Sequence, residues 1–502
     1  MNRINLNKIG MFIFNDEREH AFKETNSINL DVIKKWKQII EANVKYRDGS
    51  NPEVILGSKV ITSPKIAREV GEGLVTAGVK ILISCHNTWT YPYEIHPILN
   101  TLGRDKPLLQ LSNNEGAFPG NVSLLAQDGA LRQIGLKTHR IVGSMDDDGT
   151  RQKLFSWIYA AEAYSCMRNQ VYASYGEMSM GMETGRFHLV PTIKTLGVSL
   201  RSQDQLLLME YSKKVDENEV EKAVKWFEEL MGDRLKYDGK ALTPEKLKMQ
   251  IRLYLAMKMR NEEMGFDICG IKGQIELSTW VCIGDVAEMI SNDPYDWNGP
   301  KESIVCSTEA DSYAALTMQI LKYITGGLPT LFMDVRLYIP EMDIWDLCNS
   351  GNHSSWYAEQ SDDPKENFKK ISFHPGLEMY FPGGGASVEF DAKPSDMTFC
   401  RLGIWEEKLY LVIILGECVD LSAEERKKIN EMTSPTWPHV HAKFKCSYEE
   451  FLSNFPCNHV LAVPGDKVKE LIYYCEIAGI APILLGEAKK ERETPIWEKL
   501  GK

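Results

Sequence analysis

Residues 303–336 read SIVCSTEADSYAALTMQILKYITGGLPTLFMDVR, and this stretch decides how the chain is built. It opens with a short apolar run ending at Thr308 and continues with a helical stretch over Ala310–Tyr323. After Gly326 and Gly327 a second apolar run, LPTLFM, follows. Strand, helix and strand at this spacing predict a βαβ unit of a parallel sheet. Glu309 directly follows the first run and Asp334 the second. Ligands of such sheets bind outside the carboxyl ends of the strands. Two successive parallel strands would then each deliver one carboxylate to the same edge. Glu309 also precedes a helix, whose dipole favours an ionised acid there. The plainer alternatives are a helix-capping role for Glu309 and a local ion pair of Asp334 with Arg336.

The same alternation extends towards the N-terminus. KIGMFIF, EVILGSKVI, KILISCH, PLLQLS and THRIVGS read as strands, with LDVIKKWKQIIEANV, PKIAREVGEGLVTAGV and NVSLLAQDGALRQIG as helices between them. A long helical segment, GTRQKLFSWIYAAEAYSCMRN, leads out of this region. A charged helical stretch, Asn218–Met264, follows, and FDICGIKG and IGDVAEMIS return to alternation. Beyond Tyr338 the texture changes to polar loops (NSGNHSS, FPGGGAS) and paired β runs (TFCRLGIW, KLYLVIILGECV), with a Ser422–Glu425 capping box opening a helix. The expected fold class is α/β: two doubly wound parallel-sheet domains followed by a β-rich C-terminal domain. The expected boundaries are 1–167, 168–338 and 339–502.

A chain of 502 residues exceeds what one core normally supports. The net charge of -12 argues against nucleic-acid or anionic-membrane partners, which need a basic face. No apolar run is long enough to span a bilayer, and the N-terminus does not read as a secretory signal. Eleven cysteines without a CxxC pair suit reduced, mostly buried thiols of a cytoplasmic protein.

His459, in NFPCNHVLAVPGD, precedes an apolar strand. A lone histidine is usually structural. Beside two carboxylates, a neutral imidazole completes a donor set suited to Mn²⁺, Fe²⁺ or a similar ion. Gly383, Gly384 and Gly385 do not form a dinucleotide fingerprint, and no phosphate loop is present, which weakens nucleotide-dependent readings. Trp89 and Trp437 lie in polar loops, where an indole can stack on a sugar face.

The chain resembles the L-fucose isomerase family, within the wider fucose/arabinose isomerase group. The resemblance rests on residues 296–336 (DWNGPKESIVCSTEADSYAALTMQILKYITGGLPTLFMDVR), on GGGASVEF, TSPTWP and NFPCNHVLAVPGD in the C-terminal part, and on IGMFIFNDER and YGEMSMGM earlier. It implies an aldose–ketose isomerase in which Glu309 and Asp334 are metal-binding carboxylates and the acid/base pair, with His459 the third protein ligand. It implies sugar contacts at Arg18, Trp89, Gln274, Ser350, Tyr380, Trp437 and Asn458. It further implies Mn²⁺ (or Co²⁺ or Mg²⁺) and a homo-oligomer, a hexamer or trimer-based, in which Arg18 and Trp89 serve a neighbour's site. The sequence departs from the family by a short segment after Arg336 and by different loops at GNHSSWYAEQ and PHVHAKFK. His353, His439 and Lys443 are therefore either readers of an unusual C5 or C6 group or ordinary surface-loop residues.

The expected reaction moves a hydrogen between C1 and C2 of a free, L-fucose- or D-arabinose-like sugar through an ene-diol. The competing readings are the same chemistry on L-arabinose or a C6-modified, for example sulfonated, hexose, and a sugar-binding protein without catalysis.

Overall fold

The computed structural model describes residues 7–114, 118, 120–351 and 353–491. The N-terminal residues 1–6 of the signal-peptide reading and Asn352 of the GNHSSWYAEQ loop lie outside these. The described residues form two compact units, those up to 166 with 469–478, and 167–468 with those from 479 onward.

The first unit is built on a five-stranded parallel sheet of β1 (Lys8–Ile13), β2 (Val54–Leu56), β3 (Val79–His86), β4 (Leu108–Ser112) and β5 (His139–Val142), in the order β2-β1-β3-β4-β5. All five expected strands are present. Alternate strand residues feed two cores, as the period of a strand requires. Ile9, Met11, Ile81 and Ile83 meet Ile33, Trp36 and Ile40 of the helix Glu19–Asn43 on one face. On the other, Phe12, Phe14 and Leu82 meet the helices Pro64–Thr76 and Ile95–Leu102. The late helix Val468–Ala478 joins this unit through Tyr473 and Ile477 and through a Glu476–His139 contact of 3.1 Å.

The second unit contains a four-stranded parallel sheet of β6 (Val171–Tyr175), β7 (Ser199–Gln203), β8 (Ile268–Ile271) and, beyond a short hairpin of β9 (Tyr295–Asp296) and β10 (Gly299–Pro300), β11 (Cys306–Thr308). Its order is β11-β8-β6-β7. The helices Glu217–Met231 and Pro244–Met264 account for the charged helical stretch.

The strand after Gly327 does not extend this sheet, and the expectation of two successive parallel strands carrying Glu309 and Asp334 is corrected here. β12 (Leu331–Ile339) runs antiparallel to β13 (Ile344–Cys348). Past the small β14 (Ser372–Pro375) and β15 (Ala386–Glu389) pair, the sheet continues with β16 (Ser395–Trp405), β17 (Lys408–Cys418), β18 (His439–Phe444), β19 (His459–Pro464) and β20 (Ala481–Leu485). The order is β16-β19-β12-β13-β18-β17-β20, and β16 also pairs with β17 along its whole length. Six strands therefore close into an antiparallel ring, with β20 added in parallel to β17. Closure removes the sheet edges. Its interior is marked by Phe399 of β16 and Phe444 of β18, rings 4.9 Å apart on strands that do not pair.

The helix Ser312–Ile324 packs against β8 and β11 as well as β16 and β19, and all of its residues are buried. A helix covered all round reads as core, and it binds the parallel sheet to the outer wall of the barrel. It begins two residues later than expected. Its cap is Asp311, whose side chain accepts from the Ala314 N–H, so Glu309 is not the capping residue.

Candidate active site

β12 and β19 pair in the register Asp334↔His459, Met333↔Val460. Met333 and Val460 turn into the core, so Asp334 and His459 share the outer face. Glu309 comes from the other layer, directly after β11, with φ +56°. This left-handed conformation is uncommon for a non-glycine residue. The three side chains converge. His459 Nε2 stands 3.2 Å from Asp334 Oδ1 and 3.4 Å from Glu309 Oε2.

Asp311 completes the group and was not singled out from the sequence. Its Oδ2 lies 2.6 Å from His459 Nδ1, and the buried Arg401 guanidinium donates to the same carboxylate at 2.9 Å. Burial alone would raise the Asp311 carboxyl, but Arg401 and His459 hold it well below the usual carboxylate range. Its one sequence signal was the N-cap spacing ahead of an apolar helix. Asp334 is lowered in the same way: burial is outweighed by His459, Asn458 and Asn349. Asn458 Nδ2 donates to Oδ1 at 3.0 Å and Asn349 Nδ2 to Oδ2 at 2.9 Å.

This arrangement fits a divalent cation. His459 is buried, its Nδ1 is held by Asp311, and its Nε2 makes no hydrogen bond although it points between two carboxylates. One imidazole and two carboxylates suit Mn²⁺-like ions, and a carboxylate on the far ring nitrogen is the usual support of a histidine ligand.

Glu309 and Asp334 line a cavity of about 210 Å³, with His459 buried behind them. Gln274, Ser350, Tyr380, Trp437 and Asn458 line it with the two carboxylates. So do Lys272, Arg336, Asp285 and Glu288, which sequence reasoning did not select. Arg336 reaches Asp334 at 3.7 Å and lies over the Trp437 ring at 4.9 Å, so the Asp334–Arg336 pair coexists with the cluster. The Trp437 indole N–H is buried without a partner, as a donor awaiting a ligand would be. Arg18 and Trp89 belong to the first unit. There Arg18 Nε donates to Asp16 at 3.0 Å, and Trp89 is 38% exposed.

His353, His439 and Lys443 do not line the cavity, and neither histidine is a surface-loop residue. His353 is buried against Phe390, and burial pushes its pKa down to about 3. Lys443 is exposed on β18. His439 is buried on β18 with Asp346 and Cys348 of β13, three potential ligand atoms within 4.8 Å of one another. However, His439 Nδ1 bonds Asp346 at 2.8 Å and Nε2 bonds the Ser434 carbonyl at 2.9 Å. Two acceptors need two N–H donors, so the ring is an imidazolium with no lone pair for a metal. Burial would lower its pKa, but Asp346 and Cys348 push it up to about 11. The pair secures the loop leading to Trp437, because Thr433 Oγ1 also donates to Asp346, at 2.7 Å.

All eleven cysteines are free, and most are buried. Among the described residues no helix is long and apolar enough to cross a membrane.

Three family models match in order: the first N-terminal domain of L-fucose isomerase over residues 6–169, the second over 170–326, and the C-terminal domain over 347–484. The L-fucose isomerase of Phocaeicola vulgatus is 25% identical, over 86% of this chain and 84% of the relative. Those of Streptococcus pneumoniae and Bacteroides thetaiotaomicron are 24% and 26% identical, each over 93% of this chain and 91% of the relative. With its two parallel-sheet regions, its β-rich C-terminal part and all three models matched, the chain belongs to the L-fucose isomerase family, the aldose–ketose isomerases.

Proposed function

We propose that this protein is a Mn²⁺-dependent isomerase of a free, L-fucose- or D-arabinose-like aldose, working through an ene-diol with Glu309 and Asp334 as its proton-transfer pair. The observation that supports this most is the approach of Glu309 and Asp334, which line the cavity, to the unbonded Nε2 of the buried His459, at 3.4 and 3.2 Å.

Glu309, Asp334 and His459 would hold the cation, which when bound would polarise the sugar carbonyl and offset the charge developing on its oxygens. Glu309 acts as the base at carbon, moving the hydrogen between C1 and C2. Asp334 shuttles the proton between O1 and O2, with Asn458 and Asn349 fixing the orientation of its two oxygens. Gln274, Ser350 and Tyr380 bind hydroxyls. Trp437 covers the carbon chain with one ring face while Arg336 occupies the other side of its surroundings. The enzyme is taken as a cytoplasmic homo-oligomer of hexameric type. Arg18 and Trp89, both exposed in the first unit, contribute to a neighbouring subunit's cavity.

The charge of the cavity favours a neutral sugar over a C6-sulfonated one. Lys272 is neutralised by Glu276 at 2.9 Å and Arg336 by Asp334, while Asp285 and Glu288 add further carboxyl groups. An anionic substituent would meet these carboxyl groups, and both cationic side chains of the lining already stand beside a carboxylate. The test is ketose formation from L-fucose, D-arabinose, L-arabinose, D-glucose and a 6-sulfonated hexose, after chelator treatment and return of Mn²⁺. Metal-dependent turnover of L-fucose or D-arabinose is expected. Preference for L-arabinose or the sulfonated hexose would overturn the substrate. Binding without turnover of any would favour a non-catalytic sugar-binding protein.

A further inference from the structure

Asp285 and Glu288 open the helix Asp285–Asn292 at a point where it lines the cavity. Each is only 2% exposed. Ser350 Oγ lies 2.9 Å from Asp285 Oδ1 and 2.8 Å from Oδ2, so Asp285 is already engaged by a cavity residue. Glu288 is different: its Oε2 is buried and has no hydrogen-bond partner.

Gly351 shows how tightly this corner is built. With φ +75°, it would place a Cβ 2.4 Å from Glu288 Oε2 and 3.1 Å from Asp285 Oδ1. Both carboxyl groups therefore pack against residue 351, where only glycine fits. An unpaired buried carboxyl oxygen costs free energy unless a partner arrives. Glu288 also lines the cavity, where a ligand would be the partner within reach.

We propose that Asp285 and Glu288 form a hydroxyl-recognition subsite for a polyhydroxy chain, in which Glu288 Oε2 engages a substrate hydroxyl and Asp285 holds Ser350 beside it. This rests on the isomerase reading for the identity of the chain as a sugar, and adds a specificity-determining pair to it. Burial, and then the neighbouring Asp285, raise the Glu288 carboxyl well above the usual range, while Thr308 partly offsets this. A protonated carboxyl both donates and accepts, which matches a hydroxyl. A second cation is disfavoured because Glu288 would have to be ionised and Ser350 already contacts both Asp285 oxygens.

The experiment is calorimetric titration of the Mn²⁺-loaded protein with the alditols made by reducing the aldoses of the panel, which bind without reacting. Glu288→Gln keeps size, donor and acceptor, and should bind within threefold of the parent. Glu288→Met keeps bulk without polarity and should weaken the best alditol at least tenfold, with Mn²⁺ affinity and melting temperature unchanged. The alditol lacking the hydroxyl that Glu288 engages should lose no affinity in Glu288→Met. Equal binding by parent and Glu288→Met overturns the proposal. So does equal loss for every alditol, loss that follows Mn²⁺, or a parent that binds no alditol. If the parent isomerises no sugar while Glu288→Met still selectively loses alditol binding, the isomerase reading fails and the subsite stands. If sugars turn over and Glu288→Met binds normally, the reverse holds.

Discussion

Asp334 and His459 are direct register partners across two antiparallel strands of a closed barrel, β12 and β19. Their side chains therefore leave the same face regardless of loop conformation, because opposed residues of a ladder always do. A one-residue slip of either strand would turn that strand's side chain inward. The pair is positioned by backbone hydrogen bonding, whereas Glu309 is delivered by a turn with a positive φ.

Replacing Glu309 with Gln should remove turnover, by at least about a thousandfold on the scale of a lost acid/base group, while the protein stays folded. Circular dichroism and a ketose assay read the two separately. Activity within tenfold of the parent would sink the role assigned to this carboxylate.

Asp311 should tune the cation site without touching substrate. In Asp311→Asn the support of His459 Nδ1 weakens, and Mn²⁺ affinity should fall by about 10–100-fold, the usual cost of such a change. The variant should regain much of its activity at high Mn²⁺. Because Arg401 loses its buried counter-charge, stability should also fall, by about 3–5 kcal/mol. Competition with a fluorescent chelator measures the first effect and urea unfolding the second.

Gly351→Ala should lower substrate affinity more than it harms the fold. The added Cβ would collide with Glu288 Oε2 at 2.4 Å, and the backbone there is left-handed. Strain of about 1–3 kcal/mol is expected in unfolding experiments. The diagnostic result is a KM raised several-fold at unchanged Mn²⁺ content.

The His439–Asp346 pair should make the second unit sensitive to alkali. The folded pKa of His439 is raised to about 11, above the ordinary 6.5. A raised pKa means that the folded state holds the proton more tightly. The stabilisation is therefore complete below about pH 6.5 and is lost progressively as pH rises towards 11. Urea unfolding at pH 6 and pH 10 should show the parent losing more stability than His439→Gln across that interval. Parallel losses would rule out this linkage.

The sequence alone determined the class of each element. Strand and helix periods between Lys8 and Val142 were legible because both sheet faces are covered, which leaves near-continuous apolar runs. The position of Glu309 after β11 was likewise readable, since a polar residue ending an apolar run marks the place where a strand leaves the core. Only the tertiary structure decided which sheet each strand joins. LPTLFM is apolar enough for either a parallel sheet or a barrel, and local pattern does not distinguish them, because pairing is chosen by contacts far away in sequence such as Leu331 with Ala462. The approach of His459 to Asp334 spans 125 positions of chain, a distance over which spacing carries no signal. The same holds for Asp285, Glu288 and Asp311. Their residue types are ordinary near helix starts, and what sets them apart is burial, which appears only once the chain is packed.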